Sequence, residues 1–234
     1  MLQRIAEGLG PLGLILRGGF HPRPEDGVPA LGDGASAGTL VLVGNAGPAM
    51  WQAFRAAPEA ADGEAHPLDR WIARCLGGLV EDLGAEDLGA EARFPFEGPP
   101  YLPFQRWAAR AEGLKASPLG ILIHPRFGLW HAYRGALAFR EALALPASPE
   151  AACPCDACAE KPCLQVCPVG AFTAGGYAVP ACRDHLGRAE GRDCRDRGCL
   201  ARRACPVGRE YLYDPEQAAF HMAAFVGSSR DGSA

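Results

Sequence analysis

The amino-acid sequence predicts an α+β protein of two domains followed by a helical tail. Residues 1–146 alternate short apolar segments with patterns of helical period, whereas eight of the ten cysteines lie between residues 155 and 205. The length of 234 residues suits two domains of the usual ~100–150 residues. We therefore expect an N-terminal α/β domain at 1–147, a cysteine-rich domain at 148–213 and a C-terminal tail at 214–234.

The elements of the N-terminal domain follow from the period of its apolar residues. We expect strands at Gly13–Arg17, Thr39–Val43 and Gly120–His124, and helices at Pro48–Ala57, Pro67–Leu83, Phe104–Glu112 and Ala136–Leu145. Pro67 suits the first turn of a helix, where its missing N–H group costs nothing. Cys75 lies on the apolar stripe of the same helix, so we expect a buried thiol that binds no metal.

The segments around the cysteine-rich domain are a linker and a helix. Ser148–Ala152 has the composition of a linker, and Pro215–Val226 has apolar residues at roughly helical spacing. We expect this last helix to pack back on the body of the protein, and Gly227–Ala234 to fray.

The cysteine-rich domain contains two runs of cysteine with the same ending. The first run reads Cys155-x2-Cys158-x4-Cys163-x3-Cys167-Pro, a slightly stretched form of the bacterial ferredoxin spacing. Its Cys-Leu-x-x-Cys-Pro-Val-Gly ending at 163–170 returns at 199–208 with two more residues between the cysteines. This return indicates an internal pseudo-two-fold repeat.

In the ferredoxin pattern, the fourth cysteine of each run binds the cluster of the other run. This rule assigns one [4Fe–4S] cluster to Cys155, Cys158, Cys163 and Cys205, and another to Cys182, Cys194, Cys199 and Cys167. The alternative is a pair of structural zinc sites, since four thiolates suit either metal. A second alternative replaces Cys155 by Cys153, which lengthens the next spacing to Cys-x4-Cys.

The composition of the chain indicates which cellular compartment and which kinds of binding partner to expect. Ligand thiolates require a reducing compartment, no run approaches the ~18 apolar residues of a membrane span, and the first segment lacks a signal cleavage site. We therefore expect a soluble, cytoplasmic protein without membrane contact. The net charge of −4 does not suggest nucleic-acid binding. Eight arginines and five acidic residues lie within 182–210; they could raise the reduction potential of a nearby cluster or form an ordinary solvated loop.

Two resemblances extend this interpretation. The cysteine pattern of 155–208 resembles that of epoxyqueuosine reductase, although the family's second run is tighter than Cys-x4-Cys-x5-Cys. The segment His124–Gly135 resembles the His-Pro-Arg-Phe-Gly-x-Trp-x-x-x-Arg-Gly segment of the MMACHC-type cobalamin-processing proteins. The resemblance implies a flavin-reductase-like fold for the N-terminal domain, with cobalamin, or less favourably flavin, as its cofactor.

This segment supplies the candidate cofactor-binding residues, which are His124, Arg126, Phe127, Trp130 and Arg134. The two arginines and two aromatic rings could bind an anionic, planar cofactor through charge-assisted hydrogen bonds and ring contacts. The alternative is that the rings belong to the core and that the arginines are surface residues.

The sequence thus predicts an iron–sulfur protein whose two clusters deliver single electrons to a corrinoid or flavin in the N-terminal domain, as in a reductase. The alternative function is that of a ferredoxin-like electron carrier that docks a partner enzyme and has no active site of its own. Expected partners are an electron donor or acceptor protein and, for the reductase, a small-molecule substrate.

Overall fold

The computed structural model describes residues 1–83, 90–147 and 152–227. Residues 148–151 of the predicted linker and 228–234 of the predicted frayed end lie outside the described residues. Helices and strands are mixed throughout, so the predicted α+β class is confirmed.

The strands and helices have the following bounds. The strands are β1 (Ile15–Phe20), β2 (Thr39–Ala46), β3 (Glu91–Arg93), β4 (Lys115–Ala116), β5 (Leu122–Ile123), β6 (His131–Phe139), β7 (Phe172–Thr173) and β8 (Gly176–Tyr177). The helices are α1 (Leu2–Leu9), α2 (Ala49–Arg55), α3 (Pro67–Asp82), α4 (Phe104–Glu112), α5 (Pro162–Gln165), α6 (Val179–Gly187), α7 (Arg192–Arg197), α8 (Leu200–Arg203) and α9 (Pro215–Gly227).

The described residues divide into two compact units. The first consists of Met1–Leu114 and His131–Ala151, and the second of Lys115–Trp130 and Ala152–Ala234. The sequence-based boundary at residue 147 places Lys115–Trp130 in the N-terminal domain, whereas this segment packs with the cysteine-rich residues.

The first unit contains an antiparallel sheet of four strands in the order β1-β2-β6-β3. β2 is buried from Thr39 to Asn45 because β1 and β6 cover its two edges while α2 and α4 pack against it. α3 packs against β6 and β3 and buries Trp71, Ile72 and Leu76. Cys75 of α3 is only partly buried, so the prediction of a fully buried thiol is wrong.

The helix predicted at Ala136–Leu145 is also wrong. Those residues begin inside β6, which pairs with β2 along one edge and with β3 along the other. Alanine and leucine favour helices locally, but residues 135–139 are buried in the middle of the sheet. Pairing on both edges and packing on both faces therefore override the local preference.

The second unit has two small hairpins, β4-β5 and β7-β8, and the helices α5 to α9. Leu119, Ile123 and Leu129 form one apolar core with Cys163 and Cys205. The segment Lys115–Trp130 thus supplies part of the core that supports the cysteines.

Two backbone turns meet in the second unit. Gly128 and Gly208 both adopt positive φ angles, +57° and +70°. A Cβ on Gly128 would overlap the carbonyl oxygen of Val207, and a Cβ on Gly208 would overlap the carbonyl of Phe127. Only glycine permits this approach at these angles, so the Phe127–Gly128 turn packs directly on the Cys-Pro-Val-Gly ending of the second run.

Within the described ranges, the model contains no helix with both the length and the apolar character needed to cross a membrane.

Candidate metal centres

Four cysteines surround a first cavity in the second unit, which we call the first cysteine cavity. It is partly open to solvent. Cys155, Cys158 and Cys163 come from the first run, and Cys205 closes the second run. The rest of the lining is apolar apart from Lys161 and consists of Pro118, Ile123, Pro154, Pro162, Pro206 and Val207.

The other four cysteines surround a second cavity, also partly open to solvent, which we call the second cysteine cavity. Cys182 lies on α6, Cys194 on α7 and Cys199 at the N-cap of α8, while Cys167 comes from the first run. The remaining lining residues are Pro168, Val169, Phe172, His185, Leu200, Ala201 and Met222.

The four cysteines that line each cavity are therefore the same four that the ferredoxin pattern assigns to one cluster. Each set takes three cysteines from one run and one from the other. α5 and α8, the short helices that precede Cys167 and Cys205, pack against each other, as the duplicated sequence suggests.

Electrostatic coupling follows the same division. Burial raises the pKa of the Cys163 thiol, and repulsion from Cys205 and Cys158 adds to the rise. Burial likewise raises the pKa of the Cys199 thiol, and repulsion from Cys194 and Cys182 adds to the rise. Thiolates within a set thus repel each other, so a cationic group that binds among them is favoured.

Backbone N–H groups are directed at several of these sulfurs. Ala171 N–H donates to Cys167 Sγ at 3.3 Å, and the N–H groups of Leu200 and Val207 are hydrogen-bonded to Cys194 and Cys205. Such bonds stabilise a thiolate more than a neutral thiol. In both cysteines burial is the larger effect and the pKa is raised.

The geometry of the two sets bears on the kind of metal group that fits. Among the described residues, no three His, Cys, Asp or Glu side chains are close enough together to hold one metal ion. Tetrahedral zinc requires its sulfurs to converge at ~2.3 Å from a single centre. Each set of four cysteines thus lines a cavity, and in the described residues its sulfurs do not converge on one point.

Cys153 is buried but does not line either cavity. Its side chain is hydrogen-bonded to Cys155 and belongs to the apolar core. Burial raises the pKa of Cys155 to about 12, and Cys153 and other neighbouring cysteines contribute. Cys155, rather than Cys153, is thus the residue that lines the first cysteine cavity.

The candidate cofactor-binding residues are divided between the two units. His124, Arg126 and Phe127 are together in the second unit, where His124 Nδ1 accepts the N–H groups of Arg126 and Phe127 at 3.0 and 3.1 Å. Arg126 Nε donates to the Tyr211 hydroxyl at 2.6 Å. Arg134 lies in the first unit, on β6, and its Nε donates to Asn45 Oδ1 at 2.9 Å.

Trp130 is a core residue of the second unit, with 3% of its surface exposed. Its ring contacts the Tyr213 ring edge-on at 5.5 Å, and the Arg202 guanidinium lies 4.7 Å from the centres of both rings. Arg202 also donates two hydrogen bonds to the Leu129 carbonyl. For this residue the structure favours the core alternative.

Sequence reasoning missed two polar residues near the second set of cysteines: His185, which lines the second cysteine cavity, and Tyr177, which contacts Cys182 without lining the cavity. His185 follows Cys182 by one helical turn on α6, and the Tyr177 hydroxyl is hydrogen-bonded to the Cys182 side chain. The i, i+3 spacing of Cys182 and His185 was the available signal, because such residues share a helix face. Nothing in the spacing indicated Tyr177.

The sequence also gave no indication of a buried ion-pair network in the first unit. Arg17 donates to Glu112 Oε1 and Oε2 at 3.0 and 2.7 Å, to the Tyr133 hydroxyl at 3.2 Å, and lies 3.2 Å from His131 Nδ1. Burial raises the pKa of Tyr133, and Glu112 adds to the rise. These residues come from β1, α4 and β6, so no local motif could have indicated their contact.

No protein-family model matches the sequence, and no curated protein matches it. Among solved structures, epoxyqueuosine reductase from Streptococcus thermophilus is similar with 13% identity and a TM-score of 0.54, over 92% of this chain and 69% of that one. A B12-trafficking protein of C. elegans, CblC, is similar with 15% identity and a TM-score of 0.54, over 94% of this chain and 89% of that one. The chain thus shares the fold of both proteins.

A third similar structure is an epoxyqueuosine reductase with a tRNA stem loop, at 17% identity and a TM-score of 0.48 over 78% of this chain and 54% of that one. A likeness this weak says nothing about nucleic-acid binding by this chain. That no nucleic acid binds stays a prediction.

Proposed function

We propose that the second unit holds two [4Fe–4S] clusters, one in each cysteine cavity, and that the protein delivers single electrons from them to a corrinoid or flavin in the first unit. The observation that carries the proposal is the pair of cavities, each lined by four cysteines of which three come from one run and one from the other. A zinc-stabilised module would need the sulfurs of each set to converge on one ion.

The residues around the cavities suit this role. A bound cluster supplies reversible one-electron transfer, at a potential that depends on hydrogen bonds to its sulfurs and on solvent exposure. The N–H groups of Ala171, Leu200 and Val207 would stabilise the ligand thiolates. Apolar residues such as Ile123 and Phe172 would limit the access of water.

The corrinoid part of the proposal rests on the shared fold and on the His124–Gly135 segment. One similar structure is that of a B12-trafficking protein, and the segment has the pattern that suggested a cobalamin-processing family. Arg134, on β6, would contribute a positive charge in the first unit. Epoxyqueuosine is not proposed as the substrate, because no general acid for that reaction is identified in the sequence.

A ferredoxin-like electron carrier is the second candidate function, and one observation favours it. Trp130 is enclosed by Tyr213 and Arg202, and Arg126 is held by Tyr211. Both residues are thus already used within the second unit. A carrier would need the two clusters and a docking partner, but no cofactor in the first unit.

Anaerobic purification followed by iron, sulfide, zinc, cobalt and flavin analysis tests the cluster proposal. We expect about eight iron and eight sulfide per chain. Zinc without sulfide would refute the cluster proposal.

Titration of the anaerobic protein with cobalamin and with flavin separates the two candidate functions. The reductase predicts a spectral change with one of them, and weaker binding by about 1.5–3 kcal/mol in Arg134→Ala, for one lost charge-assisted contact. Arg140→Ala is the matched control, since Arg140 is an exposed arginine of the same unit that pairs with Asp33. No spectral change with either cofactor would favour the electron carrier.

A further inference from the structure

At the second cysteine cavity, one buried side-chain nitrogen has no hydrogen-bond partner among the described residues. His185 lines the cavity together with the four cysteines, and only 8% of its surface is exposed. Its Nε2 atom is buried and makes no hydrogen bond to any described residue. Leaving such an atom without a hydrogen bond is unfavourable, so a partner inside the cavity is the physical expectation.

The chemistry of the cavity identifies what that partner must be. Apart from His185, the described side chains that line the cavity offer only sulfur atoms as hydrogen-bond acceptors, from the four cysteines and more weakly from Met222, since the other lining residues are Pro168, Val169, Phe172, Leu200 and Ala201. Ligand thiolates and cluster sulfides carry negative charge and accept hydrogen bonds. A bare nitrogen lone pair facing them would be repelled, so the tautomer with hydrogen on Nε2 is favoured.

His185 is held in place by its helix. It follows Cys182 by three residues on α6, and residues at this spacing lie on the same helix face. A Cβ on Gly191 would overlap the His185 carbonyl, so the chain after α6 packs closely against the same residue. The backbone of His185 is thus closely packed at the end of α6.

No histidine lines the first cysteine cavity, where Lys161 is the polar residue among the described lining residues. The repeat of the cysteine pattern does not extend to this position. A histidine effect should therefore act on one cluster and leave the other unchanged.

We propose that His185 is a positioning residue whose Nε2–H group donates a hydrogen bond to a sulfur at the second cysteine cavity and thereby raises the reduction potential of the cluster bound there. This inference rests on the proposed clusters. A donor stabilises the more negative, reduced form more than the oxidised form, so its loss lowers the potential. His185 is not required as a ligand, because the cavity already has four cysteines.

The test compares two substitutions in the full-length anaerobic protein. His185→Leu removes the donor and keeps an apolar side chain of similar size, whereas His185→Gln keeps an N–H group near the position of Nε2. The readouts are iron and sulfide content, and the two midpoint potentials from a redox titration monitored by electron paramagnetic resonance.

We expect both variants to retain the full iron content. In His185→Leu, one midpoint should fall by about 59 mV, which corresponds to a tenfold change in a one-electron equilibrium, and the other should not move. In His185→Gln, most of this shift should be absent.

Different results separate the failure of this inference from that of the proposed function. Full iron with both midpoints unchanged in His185→Leu would overturn the role of His185 and leave the clusters in place. Loss of half the iron in both variants would make His185 a ligand or a structural residue, which also overturns the inference. A wild-type protein without iron and sulfide would refute the proposed function itself.

Discussion

Replacing Gly208 by alanine tests the contact between the Phe127–Gly128 turn and the second cysteine run. The two Cys-Pro-Val-Gly endings provide a matched pair, since Gly170 and Gly208 both have positive φ angles, +55° and +70°. A Cβ on Gly170 meets no atom within 4 Å, whereas a Cβ on Gly208 overlaps the backbone of Phe127 and Gly128. The pair thus separates backbone strain from close packing.

The expected magnitudes follow from these two terms. An L-residue in the left-handed region costs ~1–2 kcal/mol, and this applies to both substitutions. Overlap with backbone atoms adds ~1–3 kcal/mol, because no side-chain rotation relieves it. Gly170→Ala should therefore cost about 1–2 kcal/mol and Gly208→Ala about 2–5 kcal/mol. The stabilisation that alanine brings by restricting the unfolded chain is common to both and cancels in the comparison.

Anaerobic thermal unfolding, followed by circular dichroism, measures the difference. For a protein of about 150–250 residues 1 kcal/mol corresponds to a Tm shift of ~2–4 °C, so Gly208→Ala should unfold at least ~2 °C below Gly170→Ala. Iron analysis of both variants shows whether the loss of stability reaches the first cysteine cavity, which Pro206 and Val207 line. Equal Tm values for the two variants would refute the close packing of the turns.

Three further predictions concern the cysteines. Cys205→Ala should halve the iron content, to about four per chain, by removing the group held by Cys155, Cys158 and Cys163; retention of that group would refute the cross-run pairing. Because burial raises the pKa of Cys163 and Cys205, their neutral thiols are favoured in the folded, metal-free protein. The free energy of unfolding of the metal-free protein should therefore be constant below the unfolded thiol pKa of ~8.5 and should fall as the pH rises above it. Cluster assembly needs thiolates, so iron uptake should instead improve with rising pH. Chemical unfolding and iron uptake, each measured across pH 6–10, check the two signs. Cys75→Ser should leave the iron content unchanged and cost about 0.5–1.5 kcal/mol, less than for a fully buried hydroxyl, as urea unfolding will show; iron loss would make Cys75 a ligand.

The sequence predicted best what is encoded locally. The bounds of α4 and the start of α3 agree with the prediction, because a helical period and a first-turn proline are local signals. The two sets of cysteines could be grouped for the same reason, since the duplicated Cys-Pro-Val-Gly ending and short spacings identify each run. Whether they bind clusters stays a prediction.

What the sequence did not reveal depends on contacts between distant segments. β6 was expected to be a helix because alanine and leucine favour one, and only its pairing with both β2 and β3 makes it a strand. Lys115–Trp130 was placed in the N-terminal domain because it precedes the predicted linker. The approach of Gly128 to Val207, which associates this segment with the second run, has no local signature.

The discontinuous chain course of the two units has a consequence for how the protein is made. The polypeptide passes between the units at residues 114–115 and 130–131 and again between residues 147 and 152, so the first unit is not complete when the second begins. On the ribosome, β3 emerges before β6, the strand with which it pairs, and Leu119, Ile123 and Leu129 emerge well before Cys205. Each unit can therefore complete its fold only after a later segment of the chain has been synthesised. A gene fragment that starts at residue 148 would encode all eight candidate ligands but omit three apolar residues of the core that supports them.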